Sequence, residues 1–493
     1  MEPDTRIVPP NSLEERIATL EVESRRLEPD TAARGVLLAA IDAVTERYLA
    51  SLEDAPAFAD VPRPGAGLLD LTFGEAGAPI ERVLQHLERD VLGPGAHTAS
   101  AAHLAYIPGG AIQHAALGDY IAAVTNKYSG LFFTGPGPVR MENMVIRWVA
   151  DLVGYPATAG GNIASGGSLA TLSAVVAARD AHGMRAADYS SACVYLGTQT
   201  HHAVEKALRI AGLADAQTRS VPLDERHRMQ PDALADAIRQ DRARGLRPWL
   251  VVATAGTTDT GAVDPLADIA DVAERERCWL HVDAAYGGFF LLTEHGRQVM
   301  AGIERSDSVV LDPHKSLFMP WGSGIVLVRD VQHLARAHHG HGAYLADIVS
   351  EPGVVSPADV SPELTRPFRA LRMWLPLQLL GIGPFRAALD EKLLLARYFR
   401  REIARAGYET GPEPHLSVVT YRWAPAGLGP GETDRINRGI AEEVRRDSRV
   451  FISSTVIDDR VTLRMAALQF RTHRDTIDLA VEVLRKAAVR VSG

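Results

Sequence analysis

Ser308-Val309-Val310-Leu311-Asp312-Pro313-His314-Lys315 is the stretch whose reading decides the fold. A short apolar run ends abruptly in charged and turn-forming residues. That is the signature of a strand buried on both faces, whose polar residues gather at its carboxyl end. Trp279-Leu280-His281-Val282 is built the same way and runs into Asp283-Ala284-Ala285-Tyr286-Gly287-Gly288. Ala192–Leu196, Trp249–Ala253 and Gly324–Val328 repeat the pattern. Helical segments separate them: Leu169–Arg179 after a glycine turn, Ala203–Ala211 after two histidines, and Pro265–Arg277 with Asp264 as its expected N-cap. Strands alternating with helices predict an α/β fold with a mainly parallel central sheet, over residues 96–375.

Outward from that block the texture changes. Residues 1–95 read as a helical N-terminal segment. Ser12-Leu13-Glu14-Glu15 has the form of a capping box, Leu37 to Leu49 repeats apolar residues at helical spacing, and Pro62 to Gly67 is a turn-rich break. Residues 376–493 read as a small α+β C-terminal domain. It has helices at Phe385–Ala406 and about Thr433–Arg446, strands at Val418–Arg422, Val450–Ser453 and Val461–Met465, and a closing helix to about Val489.

The bulk composition sets limits. The chain has 493 residues, is 46% hydrophobic and carries a formal net charge of −9. Such a balance argues against a nucleic-acid partner, which calls for a basic face. No apolar run is long enough for a membrane helix, and the polar N-terminus lacks the apolar core of a signal peptide. The two cysteines, Cys193 and Cys278, show no metal spacing and read as buried thiols. The expectation is a soluble, cytoplasmic protein with no metal and no membrane contact.

Open α/β sheets bind ligands beyond the carboxyl ends of their strands, so the residues just after each strand carry the functional reading. Only five of the 52 basic residues are lysines: Lys127, Lys206, Lys315, Lys392 and Lys486. Lys315 alone is flanked by apolar residues on both sides, which favours the uncharged, nucleophilic amine. The other four read as lysines on solvated faces. Asp283 offers a carboxylate that could face a pyridine nitrogen, and Ala285 is small enough for a flat ring to lie against it. Ser165-Gly166-Gly167-Ser168 opens a helix and suits a phosphate. His201 or His202 could stack on a flat cofactor, the other being a cap or surface residue. Thr254-Ala255-Gly256-Thr257-Thr258 supplies hydroxyls at the sheet edge. Together these are the groups that pyridoxal 5′-phosphate (PLP) uses, with Lys315 as the residue that holds its aldehyde.

His281-Val-Asp-Ala-Ala-Tyr-Gly-Gly288 and Asp312-Pro-His-Lys315 resemble the two signatures of the group II pyridoxal-dependent decarboxylases, the family of the aromatic-L-amino-acid decarboxylases. Ala164–Ala170, Thr200–Ala207, Ala253–Thr258 and Pro367–Trp374 follow in that family's order. The resemblance implies fold type I of the PLP-dependent transferases and a homodimer with shared active sites, residues 1–95 being the dimerisation segment. It also implies site roles. Lys315, Asp283, His201 and Tyr344 are the catalytic residues, with His201 rather than His202 as the ring-stacking histidine. Asp283, Ala285, Thr258, Gly166, Gly167, Ser168 and His314 contact the cofactor, and Thr365 reaches its phosphate across the dimer. Tyr106, Ile107, Pro108, Phe132 and Phe133 line the side-chain pocket, partly from the neighbouring subunit. Ile107 stands where aromatic decarboxylases tend to carry another aromatic residue, and Arg140 adds a charge nearby that reads as a surface or interface arginine.

The implied reaction converts an L-amino acid, aromatic or related, to its amine and CO2. Tyr344 returns a proton to the substrate carbon; relatives with phenylalanine there tend to form aldehydes by oxidation. Aldehyde formation and carbon–carbon cleavage are the alternatives on the same scaffold. A regulatory binding protein is the alternative from another class, and the N-terminus shows no basic recognition helix to support it.

Overall fold

The structure is a computed structural model and describes residues 12–52, 55–338, 340 and 353–492. The chain divides into two compact units, one of residues 1–55 and 59–95, the other of residues 56–58 and 96–493.

In the first unit, helix Leu13–Ser24 opens on the capping box expected at Ser12. The Ser12 hydroxyl accepts the Glu15 N–H at 3.2 Å, and the Glu15 carboxylate accepts the Ser12 N–H at 3.0 Å. Helix Thr31–Ser51 is capped by Asp30 and buries only Val44. Leucines, isoleucines and valines on both helices, among them Leu13, Ile17, Leu20, Val36 and Ile41, stay exposed.

The second unit is built on a seven-stranded sheet. Its strands are β1 (Gly160–Ala164), β2 (Ala192–Gly197), β3 (Gln217–Val221), β4 (Arg247–Thr254), β5 (Trp279–Asp283), β6 (Ser308–Leu311) and β7 (Gly324–Val328). Their order across the sheet is β1-β7-β6-β5-β4-β2-β3. The β2, β3, β4, β5 and β6 pairings are parallel, while β7 runs antiparallel to both its neighbours. The sheet is therefore mainly parallel, as expected. The interior strands read as apolar runs because helices cover both faces. Val309, Val310 and Leu311 are fully buried, each contributing about 1.5–3 kcal/mol of burial.

The two strands absent from the sequence reading are the two edges, β1 and β3. Gly-Gly-Asn-Ile-Ala lacks the β-branched density of a strand, and Gln-Thr-Arg-Ser-Val alternates half-buried with exposed residues. An edge strand needs neither a continuous apolar run nor strong propensity, because one side of it has no partner strand.

A second sheet of four antiparallel strands holds β8 (Glu409–Thr410), β9 (Val418–Arg422), β10 (Ser453–Ile457) and β11 (Arg460–Ala466) in the order β8-β9-β11-β10. The expected strand at Val450–Ser453 instead begins at Ser453. Helices Gly383–Arg405, Pro430–Asp447 and Arg474–Ser492 accompany this sheet. The position between residues 375 and 376 falls inside helix Ala370–Leu380, with Pro376 in its interior.

Two expectations need correction. Asp264 is not an N-cap: helix Leu266–Arg275 follows Pro265 without a side-chain cap. The buried Asp264 carboxylate instead accepts the N–H groups of Met229 and Thr254, each at 2.7 Å. Two donors, one from the loop after β3 and one from the end of β4, outcompete the single bond a cap would make. Lys392 is not on a solvated face but 0% exposed. Its ammonium donates to the Thr472 and Phe470 carbonyls and pairs with Glu391 at 2.9 Å. No strand or helix partner is left for those carbonyls, so the lysine supplies the missing donor.

Candidate active site

Beyond the carboxyl ends of the parallel strands lies a cleft of about 460 Å³. Each wall comes from a strand end. β1 delivers the turn Ser165-Gly166-Gly167-Ser168, β4 delivers Thr254, Gly256 and Thr258, β5 delivers Asp283 and Ala285, and β6 delivers Asp312, His314 and Lys315. His201 enters from the turn after β2. Asp283 and Lys315 face one cavity because β5 and β6 are neighbouring parallel strands, with Asp283 in register with Val310.

The lysine is only 22% exposed at its side chain, and its Nζ lies 3.1 Å from Asp312 Oδ2. The flanks are apolar and buried as read from the sequence, yet the amine itself meets a carboxylate. Asp312 also shapes the turn opposite. A Cβ on Gly167 would stand 2.7 Å from Asp312 Oδ2, and one on Gly324 would stand 2.7 Å from Asp312 Oδ1 and 2.4 Å from the Gly166 carbonyl carbon. Only glycine fits at 167 and 324 while that carboxylate is in place. At Gly166 an added Cβ would meet open space. The turn thus presents bare backbone to the cavity at the start of the 15-residue helix Gly167–Ala181, where free N–H groups and the helix dipole favour an anion.

The two histidines of the cleft are set in defined protonation patterns. His201 Nδ1 accepts the Ala203 N–H at 3.3 Å, which leaves the ring proton of the neutral form on Nε2. Burial pushes the His201 pKa down, and the nearby Asp283 carboxylate opposes it. His314 donates from Nδ1 to the Ser323 carbonyl, so its neutral form keeps a lone pair on Nε2, 3.7 Å from Asp312 Oδ2. Burial likewise lowers the His314 pKa against the pull of Asp312. Trp321 leans over the His314 ring at a centroid distance of 5.1 Å. Asp283 accepts the Ala285 N–H at 3.1 Å, which orients the carboxylate at the strand end. A neutral imidazole, a carboxylate and an amine around one cavity, with a phosphate-sized turn at its side, can hold a flat anionic cofactor and move protons beside it.

The cleft brings together Lys315, Asp283, Ala285, His201, Thr258, Gly166, Gly167, Ser168 and His314. His202 is exposed, its ring 4.1 Å from that of His201. Thr365 is exposed and away from the cleft wall. Tyr106, Ile107, Pro108, Phe132 and Phe133 do not line it either. Tyr106 and Phe133 are exposed, Ile107 and Pro108 buried, and Phe132 half-buried under the Arg140 guanidinium at 5.0 Å. Tyr344 lies outside the described residues. Asp312 and Trp321 also line the cleft, beyond the residues expected there. Asp312 carried a usable signal, since it follows β6 as Asp283 follows β5; Trp321 carried none.

Comparison with known proteins agrees with the geometry. Residues 62–424 match the family model described as the pyridoxal-dependent decarboxylase conserved domain. The chain is 32% identical to an aromatic-L-amino-acid decarboxylase of Bacillus atrophaeus, over 85% of this chain and 87% of the relative. It is 29% identical to tryptophan decarboxylase 1 of Oryza sativa subsp. japonica, over 93% and 94% of the two chains. A crystal structure of Oryza sativa TDC with PLP and tryptamine superposes with a TM-score of 0.89 at 27% identity, covering 94% of this chain and 99% of that one. The chain belongs to the pyridoxal-dependent decarboxylase family, and is a fold type I, PLP-dependent carboxy-lyase.

Proposed function

We propose that the substrate is an L-amino acid with an aromatic or related side chain, converted to its amine and CO2. The observation that carries this reading is the pair Asp283 and Lys315, placed after neighbouring strands on one cleft with a bare glycine turn. When bound, PLP supplies an aldehyde for the substrate amine and a ring that accepts the electron pair left by departing CO2. Lys315 holds the cofactor through its amine and yields that place to the substrate. Asp283 keeps a proton on the pyridine nitrogen. His201 lays a neutral ring on one face of the cofactor, and Ala285 leaves room on the other. Thr258 orients the cofactor beside Asp283. Gly166, Gly167 and Ser168 hold the phosphate at the helix start, with His314 beside them.

The remaining roles call for a second subunit. Thr365, exposed in one chain, would meet the phosphate of its partner's site. Tyr106, Ile107, Pro108, Phe132 and Phe133 would complete the side-chain pocket from across the dimer. The exposed apolar residues of the first unit support residues 1–95 as the dimerisation segment, with the cofactor domain running from residue 96 and the small domain following helix Ala370–Leu380. Tyr344 is the proton donor to the substrate carbon. The cytoplasm is the proposed compartment: Cys193 and Cys278 are unpaired and buried, their thiol pKa values pushed by burial up to about 11 and about 12. No helix among the described residues is long and apolar enough to cross a membrane.

A screen of L-amino acids for CO2 release, with product analysis, tests the reading. Amine and CO2 from tryptophan, tyrosine or phenylalanine are expected. Aldehyde, ammonia and peroxide as the products would contradict it, and so would release from acidic amino acids alone. Tyr344→Phe is expected to divert product toward aldehyde; an unchanged amine yield would remove Tyr344 from the reaction.

A further inference from the structure

The edge of the central sheet nearest the glycine turn is finished by side chains instead of a strand. Among the described residues β1 pairs only with β7, so the outward N–H and C=O of Ile163 have no strand partner there. Glu142, on helix Pro136–Val153, accepts the Ile163 N–H at 3.0 Å. Arg366 donates to the Ile163 carbonyl, and Arg369 donates to the same oxygen at 3.1 Å. Arg366 and Glu142 pair with each other at 2.9 Å, with side chains 0% and 1% exposed. Arg369 is held in turn by a two-point pair with Glu363 at 2.7 and 2.8 Å. One residue earlier, Asn162 donates to the Val360 carbonyl at 2.6 Å.

These bonds join the glycine turn to the segment that carries Thr365. Ile163 stands two residues before Ser165, where the turn begins. On its inner side that turn is already gripped by Gly324 and Asp312, where no Cβ fits. Arg366 directly follows Thr365. The Leu364 carbonyl before it accepts the Tyr128 hydroxyl at 2.9 Å, and the Arg366 carbonyl accepts the Ser129 hydroxyl at 3.1 Å. Thr365 is thus an exposed residue between two anchored neighbours.

We infer that the Glu142–Arg366 pair positions the phosphate-binding elements of this enzyme, setting the Ser165–Ser168 turn in its own subunit and presenting Thr365 from the same anchor. Neither side chain touches the cleft; they are positioning residues that act through the backbone of Ile163 and Thr365. The inference rests on the cofactor reading of that turn.

The test compares PLP with pyridoxal, which has the same aldehyde and ring but no phosphate. Holoenzyme of the parent, Arg366→Met, Arg366→Lys, Glu142→Gln and the double variant Glu142→Gln/Arg366→Met is dialysed free of cofactor. Each is then titrated with either compound, and thermal unfolding is recorded alongside. Supporting residues behind a binding group typically change affinity about tenfold to a hundredfold. Arg366→Met should weaken PLP by that factor and leave pyridoxal within about twofold, with Arg366→Lys in between. The double variant removes both buried charges and so recovers thermal stability. Its PLP affinity should stay low, because Arg366 no longer ties the Ile163 carbonyl to the segment that carries Thr365. If Arg366→Met does not fold, the double variant carries the test. Equal weakening of both compounds, or unchanged PLP affinity in a folded variant, overturns the inference. Ser168→Ala separates the two layers: if it leaves the ratio of PLP to pyridoxal affinity unchanged, the turn's assignment is at fault and the positioning role falls with it.

Discussion

The two edges of the central sheet meet the same requirement in opposite ways. Each leaves backbone groups without a strand partner, and each has an arginine–carboxylate pair close by. At β1 the pair Glu142–Arg366 is at most 1% exposed and bonds the strand backbone itself. At β3 the pair Arg219–Asp241 meets water only on its arginine side, with Arg219 30% exposed and Asp241 3%. Asp241 bonds the Tyr195 hydroxyl at 3.0 Å and no backbone group of β3. The β3 edge alternates half-buried and exposed residues, with its arginine reaching solvent. The edge that leads into the cleft is closed by buried charge, which tolerates far less change.

The largest effect that would break this contrast is at β1. Arg366→Met leaves Glu142 buried without its counter-ion and should cost about 3–5 kcal/mol in denaturant unfolding. A loss below about 1 kcal/mol would mean that the two edges are alike.

A smaller effect is carried by Asp264, which ties Met229, in the loop after β3, to Thr254 in the cleft wall. Burial raises its pKa from 3.8 to about 6. Between those values the folded chain keeps a proton that the unfolded chain has released. Stability from this group is therefore present at low pH and lost as pH rises from about 4 to about 6, by about 3 kcal/mol. Asp264→Asn should remove this component, seen as a smaller difference in thermal midpoint between acidic and neutral pH. An unchanged difference would contradict it.

The smallest effect belongs to the solvent edge. Arg219→Met should cost about 1–2 kcal/mol, since Asp241 keeps its Tyr195 bond and water can reach the vacated side. Unfolding that matched the Arg366→Met loss would erase the distinction.

The same contrast explains what the sequence disclosed. The interior strands β2, β4, β5, β6 and β7 were legible because both of their faces are covered, so each is an uninterrupted apolar run. β1 and β3 escaped because an edge strand is specified by what lies beside it, and for β1 that is Glu142, Arg366 and Arg369, distant in sequence. Asp283, His314 and Lys315 were legible because strand ends concentrate chemistry in such folds. Glu142, Arg366 and Lys392 were not, because a charged residue in a helix or loop has the same pattern whether it is solvated or buried against a carbonyl. Asp264 was misread for a related reason: its position before Pro265 suggested a cap, while its partners came from the loop after β3 and the end of β4.

The chemistry of the cleft turns on Lys315. Holoenzyme reduced with borohydride fixes PLP to the amine that holds it, and peptide mapping then locates the label among the five lysines. A label is expected on Lys315 in the parent chain and none in Lys315→Ala. A label on Lys127, Lys206, Lys392 or Lys486 in the parent would contradict it.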